Sequence, residues 1–216
     1  MADWVTISAL ASAGGTLVLA GVTVASVRSA NRAARVAELS LLAAQRPLLV
    51  PSRPDDPTQK VGFQDDVWLI ARGGHGDAQA TDDAVYLAIA VRNVGTGIAV
   101  LHGWHLFPAI QLGPDMQPTP VDDFTALTRD LFIAPGDTGF WQGSFRDPRS
   151  DGYAEARAAI EAPQRMSIDV LYGDFEGGQR AISRFLLSPR EGDDGLRWIA
   201  TVGRHWNIDR PQPRER

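Results

Sequence analysis

Arg180 and Arg184 stand four residues apart in a stretch, 179–187, that alternates like a β-strand, so both side chains are expected on one face. Guanidinium forks grip phosphate oxygens and stack on flat rings. With Trp104 and Trp198 from other predicted strands, they form a set suited to a planar phosphorylated ligand of the cyclic-nucleotide kind. The same residues serve equally well as a solvated strand face paired with acids, plus two core tryptophans. The histidines, His75, His102, His105 and His205, suggest no metal set. His102 and His105 are three apart on a predicted strand and point to opposite faces. Asp doublets at 55–56, 65–66, 82–83, 122–123 and 193–194 lack the alternating ligand pattern of a calcium loop and read as solvated turns. Neither a metal nor a cofactor is expected.

Cysteine is absent, which excludes disulfides, thiolate metal sites and cysteine nucleophiles. The chain has no Gly-x-Ser-x-Gly elbow, no Walker A loop and no dinucleotide fingerprint. It is therefore read as non-catalytic. The net charge of −5 argues against a nucleic-acid partner. That charge is unevenly spread: residues 1–54 carry a net +3, and the remainder, with 24 acids and 16 bases, a net −8. A small basic segment ahead of an acidic body suggests a juxtamembrane region followed by a water-exposed domain.

The elements that position these residues begin with a membrane segment. Trp4–Val27 is 24 residues without a charge, roughly 36 Å as a helix and enough to cross a ~30 Å hydrocarbon core. Arg28, Arg32 and Arg35 follow it on one helical face, where lipid headgroups can meet them, and no basic residue precedes it. Positive charge stays on the cytoplasmic side, which places the N-terminus outside and the body in the cytoplasm at the inner membrane. Ser8, Ser12, Thr16 and Ala20 recur every fourth residue, with Gly15 on an adjacent stripe. Such stripes permit close helix pairing in lipid, so self-association is a further expectation.

Residues 28–46 contain neither Gly nor Pro and continue the helix as a stalk, which Pro47 ends. Beyond it the pattern is mainly β. Ala84–Val94 alternates with Val85, Leu87, Ile89 and Val91 on one face, and Ile98–Phe107 with Ile98, Val100, His102, Trp104 and Leu106. The glycines of the intervening Asn93–Gly97 turn or bulge permit positive φ. Residues 72–83 read as a polar loop, 108–120 as a proline-rich connection, Val121–Leu131 as a short helix and Asp151–Ala162 as another. Strands are expected at 138–145, 165–172, 179–187 and 196–204. The tally favours an antiparallel immunoglobulin-like sandwich, with a small β-barrel as the alternative. The organisation is then 1–27 transmembrane helix, 28–46 stalk, 47–208 β-sandwich and 209–216 disordered tail.

The span, the basic stalk ending in Arg46-Pro47, and the run Arg92-Asn93-Val94-Gly95-Thr96-Gly97-Ile98-Ala99 resemble bacterial membrane-anchored β-sandwich proteins of unknown function. The resemblance implies anchoring and a sandwich, and supplies no catalytic residues. The expected function is a single-pass protein that displays a cytoplasmic binding or assembly module. Its partners are the bilayer, a second copy through the helix, and a protein whose identity the sequence does not give. The alternative is a sensor–effector whose barrel binds the phosphorylated signal and clusters the helices. A filled interior favours the first reading, and an open pocket lined by Arg180, Arg184 and tryptophans the second.

Overall fold

A computed structural model describes residues 3–192 and 195–209 and divides the chain into two units after Ala44. The first unit is one helix, α1 (Trp4–Ala44), about 60 Å long at ~1.5 Å per residue. Its Ser12–Leu41 stretch is long and apolar enough to cross a membrane, and none of it is buried within the protein. Thr16 and Thr23 donate their hydroxyls to the carbonyls of Ser12 and Leu19, 2.9 and 2.8 Å away. Hydroxyls satisfied within their own helix carry little penalty in lipid.

The second unit contains eleven described strands: β1 (Leu49–Pro51), β2 (Gln59–Gly62), β3 (Trp68–Ala71), β4 (His75–Ala80), β5 (Val85–Asn93), β6 (Ala99–Phe107), β7 (Thr125–Ile133), β8 (Thr138–Phe145), β9 (Met166–Gly173), β10 (Ala181–Gly192) and β11 (Gly195–Asn207). A helix, α2 (Tyr153–Glu161), separates β8 from β9. One antiparallel sheet runs β8-β5-β4-β11-β10-β9-β6-β7, and β1 pairs with the end of β5 on the side of β4. Its two outermost strands, β7 and β8, are successive in sequence. The sheet is therefore curled into a half-barrel, mainly β as expected. β2 and β3 form a separate hairpin.

The concave side holds the main core. Val85, Leu87, Ile89 and Val91 line it with Ile168, Val170, Phe185 and Leu187, all fully buried. Trp104 meets Trp141 and Phe145 edge-on at 5.6 and 5.0 Å, and Tyr153, Ala156, Ala159 and Ile160 of α2 complete the fill. Of the expected core, Val100, Phe140 and Ile199 are only half-buried. β5 is buried on both faces because its outward residues are Tyr86, Ala88 and Ala90. The two alanines leave room for Val61, Phe63, Leu69 and Ala71 of the β2–β3 hairpin.

Three sequence expectations are corrected. Residues 72–83 contain β4, a strand of low β propensity formed by pairing with β5 and β11. A Cβ on Gly76 would meet the Ala88 carbonyl at 2.7 Å, so glycine permits that approach. Residues 121–131 hold one 3₁₀ turn, Val121–Asp123, and most of β7 in place of a helix. β6 does not alternate simply. Its register shifts between Leu101 and Gly103, so Ala99 and Leu101 face inward before the bulge and Trp104 after it.

The Asn93–Gly97 turn clasps the start of the unit. Asn93 is fully buried and its side chain makes four hydrogen bonds. Its Oδ1 accepts from the N–H groups of Leu48 and Gly95, and its Nδ2 donates to the carbonyls of Gly97 and Ile133. Positive φ is not what the glycines supply. A Cβ on Gly97 would lie 1.7 Å from the Gln45 carbonyl oxygen, and one on Gly95 would lie 2.3 Å from that of Arg46.

Candidate functional site

The four residues named for a phosphorylated ligand do not come together. Trp104 and Trp198 belong to the concave core, whereas Arg184 lies on the convex face of β10. The parity of β11 explains the split. Opposite Arg184/Phe185 its register shifts at Gly203, so Trp198 and Ala200 face the core while Trp206 faces outward to Ile182 and Leu171. The edge of Trp198 also lines a hollow of about 240 Å³ beside Arg72, His75 and Arg197. Arg180 sits apart, its Nη2 pairing with Asp209 Oδ1 at 2.8 Å. That pairing holds Asp209 below the usual carboxylate range. Asp209 was expected to open the disordered tail; the rest of that tail, 210–216, lies outside the described residues.

Arg184 is committed to the fold. Its Nε and Nη2 donate to the two carboxylate oxygens of Asp169 at 2.6 and 2.7 Å, and both residues are buried. The guanidinium lies between Phe107 and Trp206, 4.7 and 4.9 Å from their ring centres. Residues 108–120 run over this pair as a strap. Thr119 donates its hydroxyl to Asp169 at 2.7 Å, and Arg184 and Arg204 donate to the carbonyls of Gln117 and Met116. Arg184 is thus 3% exposed, and its remaining edge borders a hollow of about 470 Å³ beneath the strap, beside Phe107, Leu112 and Met116.

A second polar cluster pairs a hydroxyl with an imidazole. Ser183 and His205 are register partners, with Oγ and Nδ1 2.6 Å apart. The Tyr172 hydroxyl lies 2.8 Å from the same Oγ and accepts from the Leu49 N–H at 3.3 Å, while Ser183 donates to the Leu49 carbonyl. Ser183 is fully buried, so the group ties β1 to the sheet and presents no nucleophile to solvent. Burial, with the charge of Arg46, pushes the His205 imidazole below its ordinary value. Burial also raises the Tyr172 phenol. Burial and then Arg180 lower His102, whereas His105 donates from Nδ1 to the Asp123 carbonyl, 3.1 Å away. Among the described residues, no three His, Asp or Glu side chains are grouped to hold a metal.

The open cationic groove lies elsewhere, at the seam between β7 and β8. It has a volume of about 390 Å³ and is walled by Lys60, Phe63 and Trp68 of the hairpin, Arg129 of β7, and Phe140 and Arg146 from β8 and just beyond. Trp68 is register partner to Gly62 and lies across it: a Cβ there would strike the indole at 2.8 Å. Lys60 Nζ stands 4.5 Å over that indole, which is 54% exposed. Arg129 lies over Phe140 at 5.4 Å and donates to Gln142 Oε1 at 2.6 Å. Arg146 donates to Asp65, which also accepts from the Tyr86 hydroxyl. Burial works against charge on Asp65, but the bonds from Tyr86 and Arg146 outweigh it and lower its pKa; burial and the same carboxylate push Tyr86 up to about 12. Sequence reading missed this groove because its residues come from segments as far apart as 60 and 146. The exposed alternation of β3, with Trp68 and Ile70 outward, is the local signal that could have found it.

On α1, Ser12, Gly15, Thr16 and Ala20 are exposed, as are Arg28, Arg32 and Arg35. The side chain of Ser8 lies outside the described residues. No family model, curated protein or solved structure matches the chain.

Proposed function

We infer that the chain is a single-pass membrane protein that displays a non-catalytic β module for binding or assembly. The observation that carries this is the Ser12–Leu41 stretch of α1. Its apolar side chains, among them Leu17, Val18 and Leu19, are more than half exposed and have no protein to cover them. Arg28, Arg32 and Arg35, which follow the uncharged run ending at Val27, set the orientation: N-terminus outside, module in the cytoplasm at the inner membrane. In this reading the curled sheet is a sandwich left open at one seam. The filled interior supports a binding module over a ligand-enclosing barrel, and the engagement of Arg184 with Asp169 removes the main support for the cyclic-nucleotide alternative.

The test uses the natural absence of cysteine. Asp3→Cys and Phe175→Cys are labelled separately in intact cells with a membrane-impermeant maleimide. Labelling at position 3 without permeabilisation, and at 175 only after it, is the expected outcome. Recovery of the unmodified chain in the high-speed supernatant without detergent overturns the reading.

A further inference from the structure

β7 and β8 are sequence neighbours joined by the turn 134–137, yet they do not pair. β7 is laddered to β6 and β8 to β5, which leaves one edge of each free among the described residues. Hairpin register from that turn sets Ile133 opposite Thr138 and Arg129 opposite Gln142. The link at the latter position runs through the side chains, Arg129 Nη2 to Gln142 Oε1, where paired strands would exchange backbone bonds. β7 is open on its other side too. Its register with β6 passes from Leu131↔Leu101 to Ala126↔Gly103, so Leu127–Asp130 face one residue of β6 and have no ladder partner. Unpaired edges are a liability that proteins usually cover or blunt. Here two such edges line one groove with an exposed tryptophan.

The geometry points to strand addition at this seam by an extended acidic peptide segment of a partner protein, an assignment that rests on reading the domain as a binding module. Backbone donors and acceptors of β7 and β8 supply the ladder, as in other β-augmentation sites. Charge selects the partner. Lys60, Arg129 and Arg146 surround the groove, and the acid among them, Asp65, is already held by Tyr86 and Arg146. Asp130, next to Arg129, acts toward His102 on the β6 side. A cationic groove on a body whose net charge is −8 attracts an acidic segment and turns basic ones away. Trp68 and Phe140 add ring faces for one apolar side chain of the segment.

The full-length protein in detergent micelles is titrated into a fluorescent synthetic peptide of alternating Val and Glu with a central Phe, read by anisotropy. Saturable binding is expected, weakened about tenfold or more when Glu is replaced by Lys, or when alternate amides are N-methylated. Lys60→Glu with Arg146→Glu should reverse the preference toward the Lys peptide. No saturable binding, equal binding of the N-methylated peptide, or full competition by millimolar inorganic phosphate overturns strand addition; the last marks a small-anion site instead. These arms use the wild-type chain and do not depend on a variant folding. Labelling and sedimentation report membrane insertion separately, so failure of either reading is seen independently of the other.

Discussion

Arg184 lies between two aromatic rings beneath the 108–120 strap, and Arg129 lies over one ring at the β7–β8 seam. The two have the same side chain and similar neighbours but opposite surroundings. Asp169 neutralises Arg184 in a buried fork, so the pair's donors and acceptors are spent on holding β9, β10 and the strap together. Arg129 has a neutral partner and an exposed edge. Stacking on an aromatic ring therefore does not identify a binding arginine; the presence of a buried counter-ion decides the role.

Removing a buried partner gives the largest effect. Arg184→Ala strands the Asp169 carboxylate and is expected to cost about 3–5 kcal/mol in urea unfolding, while the apolar pair Arg184→Met with Asp169→Leu recovers most of it. If Arg184→Ala is as stable as wild type, the strap is not sealed and the contrast fails.

The tryptophans sharpen the same comparison. Trp198→Ala empties a core position and should cost about 3–5 kcal/mol, against less than about 0.5 for Trp68→Ala at the seam. Similar midpoints for the two would mean that the seam is closed in solution.

The His205 cluster gives a smaller, pH-dependent term. The unfolded imidazole takes its proton near 6.5 and the folded one at lower pH. Between those values the unfolded chain binds more protons, so stability falls as pH drops from 7 through 6.5 toward the folded value. His205→Gln, which cannot be protonated, should flatten that slope in thermal melts; an unchanged slope would assign it elsewhere, with His102 the next candidate.

Arg129→Ala should change stability least, by about 0.5 kcal/mol or less, because its side chain is exposed and its acceptor neutral. It should nevertheless weaken acidic-peptide binding. A large loss of stability would make Arg129 a structural strut like Arg184.

Much of the framework was legible in the chain. The uncharged run from Trp4 to Val27 and the arginines after it specify a long apolar helix by composition alone. Strict alternation placed β5, and turn residues bounded β8 and the β9–β10 hairpin, because periodicity and turn chemistry are local properties. β4 and β7 were not legible. The first has residues of low β propensity and exists through its partners, and the second mixes good helix formers, Ala126, Leu127, Arg129 and Leu131, with only three β-branched residues, so it also reads as helix.

What only the tertiary structure decided is which side chains share a face. Two shifts of register, near His102 in β6 and Gly203 in β11, reverse side-chain parity within a strand. They separate Trp198 from Trp206 and leave Arg184 with Phe107 and Trp206 in place of the tryptophans that alternation assigned to it. The groove of Lys60, Trp68, Arg129 and Arg146 likewise arises where the curled sheet brings its two edges together. A one-residue shift costs little locally yet moves every later side chain to the other side of the sheet, so period-two reasoning holds only between bulges.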